Sequence, residues 1–461
     1  MDTIRNRVLQ KIKPSKAEEN EIKEFIINLI RVAKTITDTE PVIVGSIGRG
    51  TWLSGDHDID LFLMFPKSVS RDMLEKRGIK YAKKIVKVFE GRYVIKYAEH
   101  PYLHAKINGK TVDIVPCYRI KKGEKILSAV DRSPLHIEYI ISRLDPSLKD
   151  DARLLKQFCK GIGIYGSDAK RSGLSGYACE LLIIHHGTFE SVLKSVSKYK
   201  PGHIIDIEGL WPKDPKAIRK RFENAPLILI DPVDKNRNVT AALSHENFVK
   251  FVNKAEEYLN SPDIRFFFPI KKELSLKEIK KLQDRKTKFL GILFDKPDII
   301  DDILYPQLRK ALERLDKLLN YNEFKTLRKY EFVLKNKVIL IFEVEEWTPP
   351  AIEKKIGPSI FATKNSKDFL KKYENALYGP YIEKGLWVVE KKRVFTRADM
   401  LLKTFLNRDY DKLLEDGIPN YIAKNISKSK ILEHEKLWGL IKKKKALSVF
   451  LREKYFENLK I

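Results

Sequence analysis

From residue 15 to 36, apolar side chains recur every three to four positions, and Ile22, Phe25, Ile26, Leu29 and Ile30 share one face. Ser15 with Glu18 three residues later reads as a capping box, so a helix is predicted to begin there. "PVIV" at 41–44 reads as a short buried strand running into a glycine turn. Residues 58–65 read as a second strand and 71–89 as a basic amphipathic helix. "YLHAKINGKTVDIVPCY" (102–118) alternates on either side of Asn108-Gly109, a pair suited to a two-residue hairpin turn. Such a turn sets Ile107 against Lys110, and hence His104 against Asp113. His104, Lys106, Thr111 and Asp113 then line a polar face, with Ala105, Ile107, Val112 and Ile114 on an apolar one.

Residues 148–200 follow a helical pattern; "LILID" (227–231) reads as a strand, and another helix starts near Ser244. Beyond 288 come a strand (288–294), a helix (304–319), a strand hairpin (332–345), a helix (366–376) and a strand (386–395). That β-α-β-β-α-β order suits a ferredoxin-like or RNA-recognition-type module, although RNP aromatic motifs are not evident. The last 60 residues read as helical and basic, with four consecutive lysines at 442–445. The whole is an α+β multidomain chain without an internal repeat or a low-complexity linker.

A length of 461 residues exceeds one core, and 43% hydrophobic with 33% charged residues describes a globular protein. No apolar run is long enough to cross a bilayer, and "MDTIRNRVLQKIK" lacks a signal core, so no membrane role and a cytoplasmic location are expected. Cys117, Cys159 and Cys179 form no CxxC pair, which argues against a disulfide framework or a structural zinc site. The net charge of +27 changes the picture most: it suits a polyanionic partner, nucleic acid before an anionic membrane.

Two motifs fail in context. "GIGIYG" (161–166) matches GxGxxG but ends a helix instead of following a strand, and "GKT" (109–111) lies in a hairpin turn with His104 where a P-loop needs glycine. The nine histidines include no metal-spaced set, and His57 reads as a bystander.

The carboxylates are different. Asp58 and Asp60 lie two apart on a strand, so both project to one face, with Ile59, Leu61, Leu63 and Phe65 opposite. Two such acids raise each other's pKa unless a cation intervenes, and a hard divalent ion such as Mg²⁺ favours oxygen ligands of this kind. If the hairpin abuts that strand, Asp113 adds a third acid, enough to hold two metals about 3.5–4 Å apart for phosphoryl chemistry. The preceding "GSIGRG" turn can offer phosphate the backbone N–H groups of Gly45 and Ser46, the Ser46 hydroxyl and the charge of Arg49.

"GSIGRGTWLSGDHDID" resembles the nucleotidyltransferase superfamily headed by DNA polymerase β. With "DIVPCY", "SAVDRSPLH", "LLKQFCKGIGIYG", "GLSGYACELLI" and "DPVDKNRNV", the resemblance is to archaeal class I CCA-adding enzymes (tRNA nucleotidyltransferases), over essentially the whole chain. It implies addition of C, C and A from CTP and ATP to the tRNA 3′ end without a nucleic-acid template, with release of pyrophosphate. It further implies Asp58, Asp60 and Asp113 as metal carboxylates. Ser46 and Arg49 would meet the nucleotide, its triphosphate above all. His136, Lys156 and Tyr165 would line the same pocket, and Arg237 would present its guanidinium to the base. His104 beside Asp113 is a geometric inference only.

Four parts are expected: a polymerase β-like catalytic head (1–147), a helical neck (148–262), a ferredoxin- or RNA-recognition-like body (263–397) and a basic helical tail (398–461). The body and tail would hold the acceptor stem and T-arm side of tRNA by shape and phosphate contacts. Whether the chain pairs as a homodimer is not written in these patterns. A poly(A) polymerase-like terminal nucleotidyltransferase and a non-catalytic tRNA-binding protein are the alternatives: the first should ignore CTP, and the acid triad argues against the second.

Overall fold

A computed structural model of the chain describes residues 2–457 apart from 98 and 213. Met1 of the expected head and positions 458–461 of the expected tail lie outside the described residues. The chain divides into two compact units, one running to Ile270 and one starting at Lys271.

The first unit begins with α1 (Asp2–Ile12), α2 (Lys16–Ile36), β1 (Glu40–Val44), α3 (Gly45–Arg49) and β2 (Asp58–Phe65). There follow α4 (Arg71–Val88), β3 (Arg92–Tyr97), β4 (Pro101–Ile107) and β5 (Lys110–Tyr118). The sheet order is β1-β2-β5-β4-β3, with β2 and β5 parallel and every other pair antiparallel. Asn108 (φ 49°) and Gly109 (φ 80°) both adopt left-handed backbone, as a two-residue hairpin turn with native twist requires, and the register pairs His104 with Asp113. Alternation buries Ile59, Leu61, Leu63, Phe65, Val112 and Ile114 in a core with Leu29, Leu74 and Ile85 from α2 and α4.

Ser15 accepts a hydrogen bond from Glu18 N, but the expected capping box is only half formed. Glu18 turns its carboxylate to the loop before β2. There it accepts from the Ser54 hydroxyl and Gly55 N and lies 2.9 Å from His57 Nε2. Several loop donors outweigh one backbone N–H. His57, packed edge-on against Trp52, is therefore an anchor and not a bystander.

The helical part of this unit comprises α5 (Arg132–Arg143), α6 (Lys149–Gly161), α7 (Gly176–His186) and α8 (Phe189–Val196). After it come β6 (His203–Ile205), α9 (Pro215–Arg221), β7 (Leu227–Asp231), β8 (Asp234–Asn238) and α10 (His245–Asn260). Its centre is an aromatic cluster in which Phe158, Phe189, Tyr258 and Phe267 meet edge-on or tilted. The "GIGIYG" segment ends α6, as its context predicts.

The second unit holds α11 (Leu276–Gln283), β9 (Lys288–Asp295), α12 (Asp301–Tyr321), β10 (Thr326–Val333) and β11 (Lys337–Val344). Next are β12 (Ile352–Ser359), α13 (Thr363–Lys372), β13 (Tyr378–Glu383), β14 (Leu386–Lys392), α14 (Ala398–Leu406), α15 (Tyr410–Glu415) and α16 (Asn420–Ile426). It ends with β15 (Lys430–Leu432), α17 (His434–Lys443) and α18 (Lys445–Phe456). Here one expectation needs correction. The strand at 386–392 does not complete the sheet begun at 288 but belongs to a separate sheet, β12-β14-β13. The first sheet, β10-β11-β9-β15, is closed by β15, inside the stretch expected to be wholly helical. Gly291 in β9 lets Leu432 and Leu437 approach closely, so a three-residue strand suffices there. Among the described residues, no helix is long and apolar enough to cross a membrane.

Candidate active site

The parallel register of β2 and β5 sets Asp60 beside Asp113 and Asp58 beside Thr111, so the three acids share the sheet face away from α2 and α4. Asp58 is exposed and Asp60 and Asp113 half-buried. Although Asp60 keeps some solvent access, its carboxyl is closely packed. Burial, then the charge of Asp113, push its pKa up to about 7; Arg49 opposes this and Asp58 adds to it. Asp113 Oδ1 lies 2.5 Å from His104 Nδ1. Among the described residues, no three Asp, Glu, His or Cys side chains already surround one point. Asp113 has His104 as its side-chain partner. The donor set itself fits a hard divalent cation: oxygens only, on adjacent strands, with one carboxyl held uncomfortably near neutral charge.

Gly45 opens α3 with φ 73°, directly after Val44, which pairs with Asp60 across the sheet. A Cβ at Gly45 would stand 2.1 Å from Asp60 Oδ2. The glycine of the GS turn is therefore required twice, by its backbone and by the acid beside it. Gly45→Ala is expected to lower nucleotide addition by about a hundredfold or more, because backbone strain and a displaced carboxylate act together. Initial rates measured beside the thermal unfolding midpoint separate that from general unfolding.

The two cations expected to meet phosphate share one buried counter-charge. Lys156 Nζ donates to Glu180 Oε1 (2.7 Å), Thr51 Oγ1 (2.8 Å) and Thr51 O (3.1 Å), and Arg49 Nε lies 2.6 Å from Glu180 Oε2. The Lys156 side chain is 1% exposed and Arg49 10%, so neither is an open surface cation. Tyr165 lies close by: a Cβ at Gly176 would meet its hydroxyl at 2.9 Å and Lys156 Nζ at 3.6 Å. Burial pushes the Tyr165 phenol well up, so it is a hydrogen-bonding group and not an anion. Arg153 and Lys160 fasten the same loop, Arg153 donating to Gly50 O and Trp52 O and Lys160 pairing with Asp56.

A second carboxylate, Asp231 at the end of β7, gathers the remaining residues. Its Oδ2 accepts from Arg237 (2.6 Å) and lies 2.9 Å from His136 Nε2, while Oδ1 accepts from the Tyr177 hydroxyl (3.2 Å). The His136 ring stacks on Tyr177 at 3.9 Å. Burial works against the Asp231 charge, but His136 and Arg237 outweigh it and hold the carboxyl at about 2. Burial pushes His136 down despite Asp231. Arg237 also lines a cleft of about 520 Å³ with Arg132, Arg221, Phe222 and Asn236.

Three family models match successive stretches of the chain. A nucleotidyltransferase domain matches residues 26–136, a tRNA nucleotidyltransferase second domain 150–268, and a CCA-adding enzyme C-terminal domain 285–426. The CCA-adding enzyme of Methanosarcina mazei is 37% identical, with 98% of each chain covered. That of Methanocaldococcus jannaschii is 38% identical over 94% of this chain and 96% of its own. The chain belongs to the CCA-adding enzymes. As a CCA-adding enzyme it transfers nucleotides to tRNA, and its polymerase β-like domain carries the acids described above.

For this CCA-adding enzyme, the sequence missed the residues that hold the others. Glu180 and Asp231 were readable in outline, each a lone acid in or at the end of an apolar run ("YACELLII", "LILID"), where burial demands a partner. Tyr177 carried no such signal. Lys156, expected to line the nucleotide pocket, and Arg237, expected to face the base, each also meet a carboxylate.

Proposed function

We propose that this CCA-adding enzyme builds C, C and A on the tRNA 3′ end at Asp58, Asp60 and Asp113, the acids holding Mg²⁺. The register that sets Asp60 beside Asp113, with the GS turn against them, carries this reading. Bound there, Mg²⁺ supplies positive charge to the transferring phosphate and to the oxygens that attack and leave. The protein's own part is orientation. Gly45 and Ser46 offer N–H and hydroxyl donors to the triphosphate, Arg49 and Lys156 balance its charge, and Tyr165 donates from beside Lys156. His136 and Arg237, joined through Asp231, stand where a base edge can be read, together with the RNA end.

The division into head (1–147), neck (148–262), body (263–397) and tail (398–461) is part of the proposal. Its first two boundaries fall near the edges of the matched domains; the third falls where the small sheet gives way to helices. The body and tail would hold the acceptor stem and T-arm side. Binding should weaken at least about a hundredfold from about 50 to 200 mM salt, equally for tRNAs of different anticodon. Filter binding over a salt series checks this, and dependence on one anticodon would contradict it.

Single-nucleotide extension tests the reading itself. On tRNA lacking CCA, CTP alone should add two residues and ATP alone none. Extension by ATP alone would favour a poly(A) polymerase-like enzyme.

A further inference from the structure

One carboxylate near the site has no role in the reading above. Glu180 sits mid-way along α7, an otherwise apolar stretch, with none of its surface exposed. It faces two cations, Arg49 and Lys156, and takes a further hydrogen bond from the Thr51 hydroxyl. Glu180 is thus the one carboxylate among the described residues that both cations meet directly, in a place where an unbalanced charge is costly.

The two halves of the cluster differ. Lys156 and Thr51 bond Glu180 Oε1 in good geometry, whereas Arg49 Nε and Glu180 Oε2 meet at 2.6 Å by charge, without an aligned hydrogen bond. No other acceptor among the described residues is hydrogen-bonded to Arg49. An arriving phosphate oxygen can therefore take up the Arg49 guanidinium while Lys156 and Thr51 keep Glu180 satisfied. Arg49 also lies near enough to Asp60 to favour its charged form and has the Tyr177 ring at 6.0 Å, so its position connects the acids with the base side of the site.

We propose that Glu180 is a positioning residue for the triphosphate: it holds Arg49 and Lys156 from behind as a preset pair and so sets nucleotide affinity, leaving the chemical step to the acids. This rests on the assignment of Arg49 and Lys156 to the triphosphate.

The test is steady-state addition to tRNA lacking CCA, with CTP or ATP varied and inorganic triphosphate as competitor. For Glu180→Gln, KM for both nucleotides and the triphosphate inhibition constant should rise together by about tenfold, with kcat within about threefold. In an Arg49→Lys background the same change should raise KM by less than about threefold, because the residue it positions is already altered. A purely structural Glu180 would lower the unfolding temperature and leave KM and the inhibition constant unmoved, which overturns the proposal. If Arg49→Lys alone leaves KM unchanged, the triphosphate assignment falls and the proposal with it. If Arg49→Lys raises KM and Glu180→Gln does not, only the role of Glu180 falls. Should Glu180→Gln fail to fold, Thr51→Val removes one of its donors and should still raise KM by about threefold; an unchanged KM would again overturn the proposal.

Discussion

Asp60→Asn is expected to reduce nucleotide addition by at least about a thousandfold while leaving the protein folded. The two effects come from one cause. Asp60 is a closely packed carboxyl beside Asp113 and Asp58, with its pKa raised to about 7. A carboxyl whose folded pKa exceeds its unfolded value of about 4 costs stability increasingly as pH rises between the two values, and in full above the folded one. At about pH 8, without metal, the asparagine variant should therefore be more stable than the wild type by about 1–3 kcal/mol, and this gain should shrink as pH falls from about 7 to about 4. Activity assays and denaturant titrations over pH check both halves. Loss of activity together with loss of stability would mean that Asp60 is a packing residue.

Asp231 predicts the opposite sign. Burial alone would raise its pKa, but His136 and Arg237 hold it at about 2. Its charge therefore stabilises the fold at pH above about 4 and ceases to do so as pH falls toward about 2. The shift corresponds to about 2–3 kcal/mol at neutral pH. Asp231→Asn should cost about 3 kcal/mol or more there, since Arg237 and His136 also lose their partner. The gap between variant and wild type should close as pH falls through that window. It should also relax the choice between CTP and ATP, because both side chains proposed to read the base hang on this one carboxylate. A stability gap that stays constant from pH 7 to about 2 would show that the charge of Asp231 is not what the fold uses.

The parts of the site that the sequence made legible are those with a local period. Alternation placed Asp58 and Asp60 on one strand face, and Asn108-Gly109 fixed the hairpin register that pairs His104 with Asp113. What escaped depends on distant partners. Glu180 meets Arg49, and Asp231 meets His136, across gaps in sequence that no periodicity spans. Lys156 looks from its helix like any basic residue; only its enclosure against Thr51 and Glu180 separates it from an ordinary surface lysine. In the second unit, a strand at 386–392 was visible but not its sheet. The true closing strand, Lys430–Leu432, is too short to show a pattern. Glu18 likewise satisfied a capping motif on paper while its carboxylate served the loop before β2.

The central claim is that the acids of β2 and β5 make the CCA end. Sequencing the 3′ ends of tRNA lacking CCA after incubation with CTP, ATP and Mg²⁺, for wild type and Asp60→Asn side by side, tests it most directly. The account predicts C-C-A and then arrest for the wild type, and unextended ends for the variant. Poly(A) tails, or the same C-C-A product from both proteins, would contradict it.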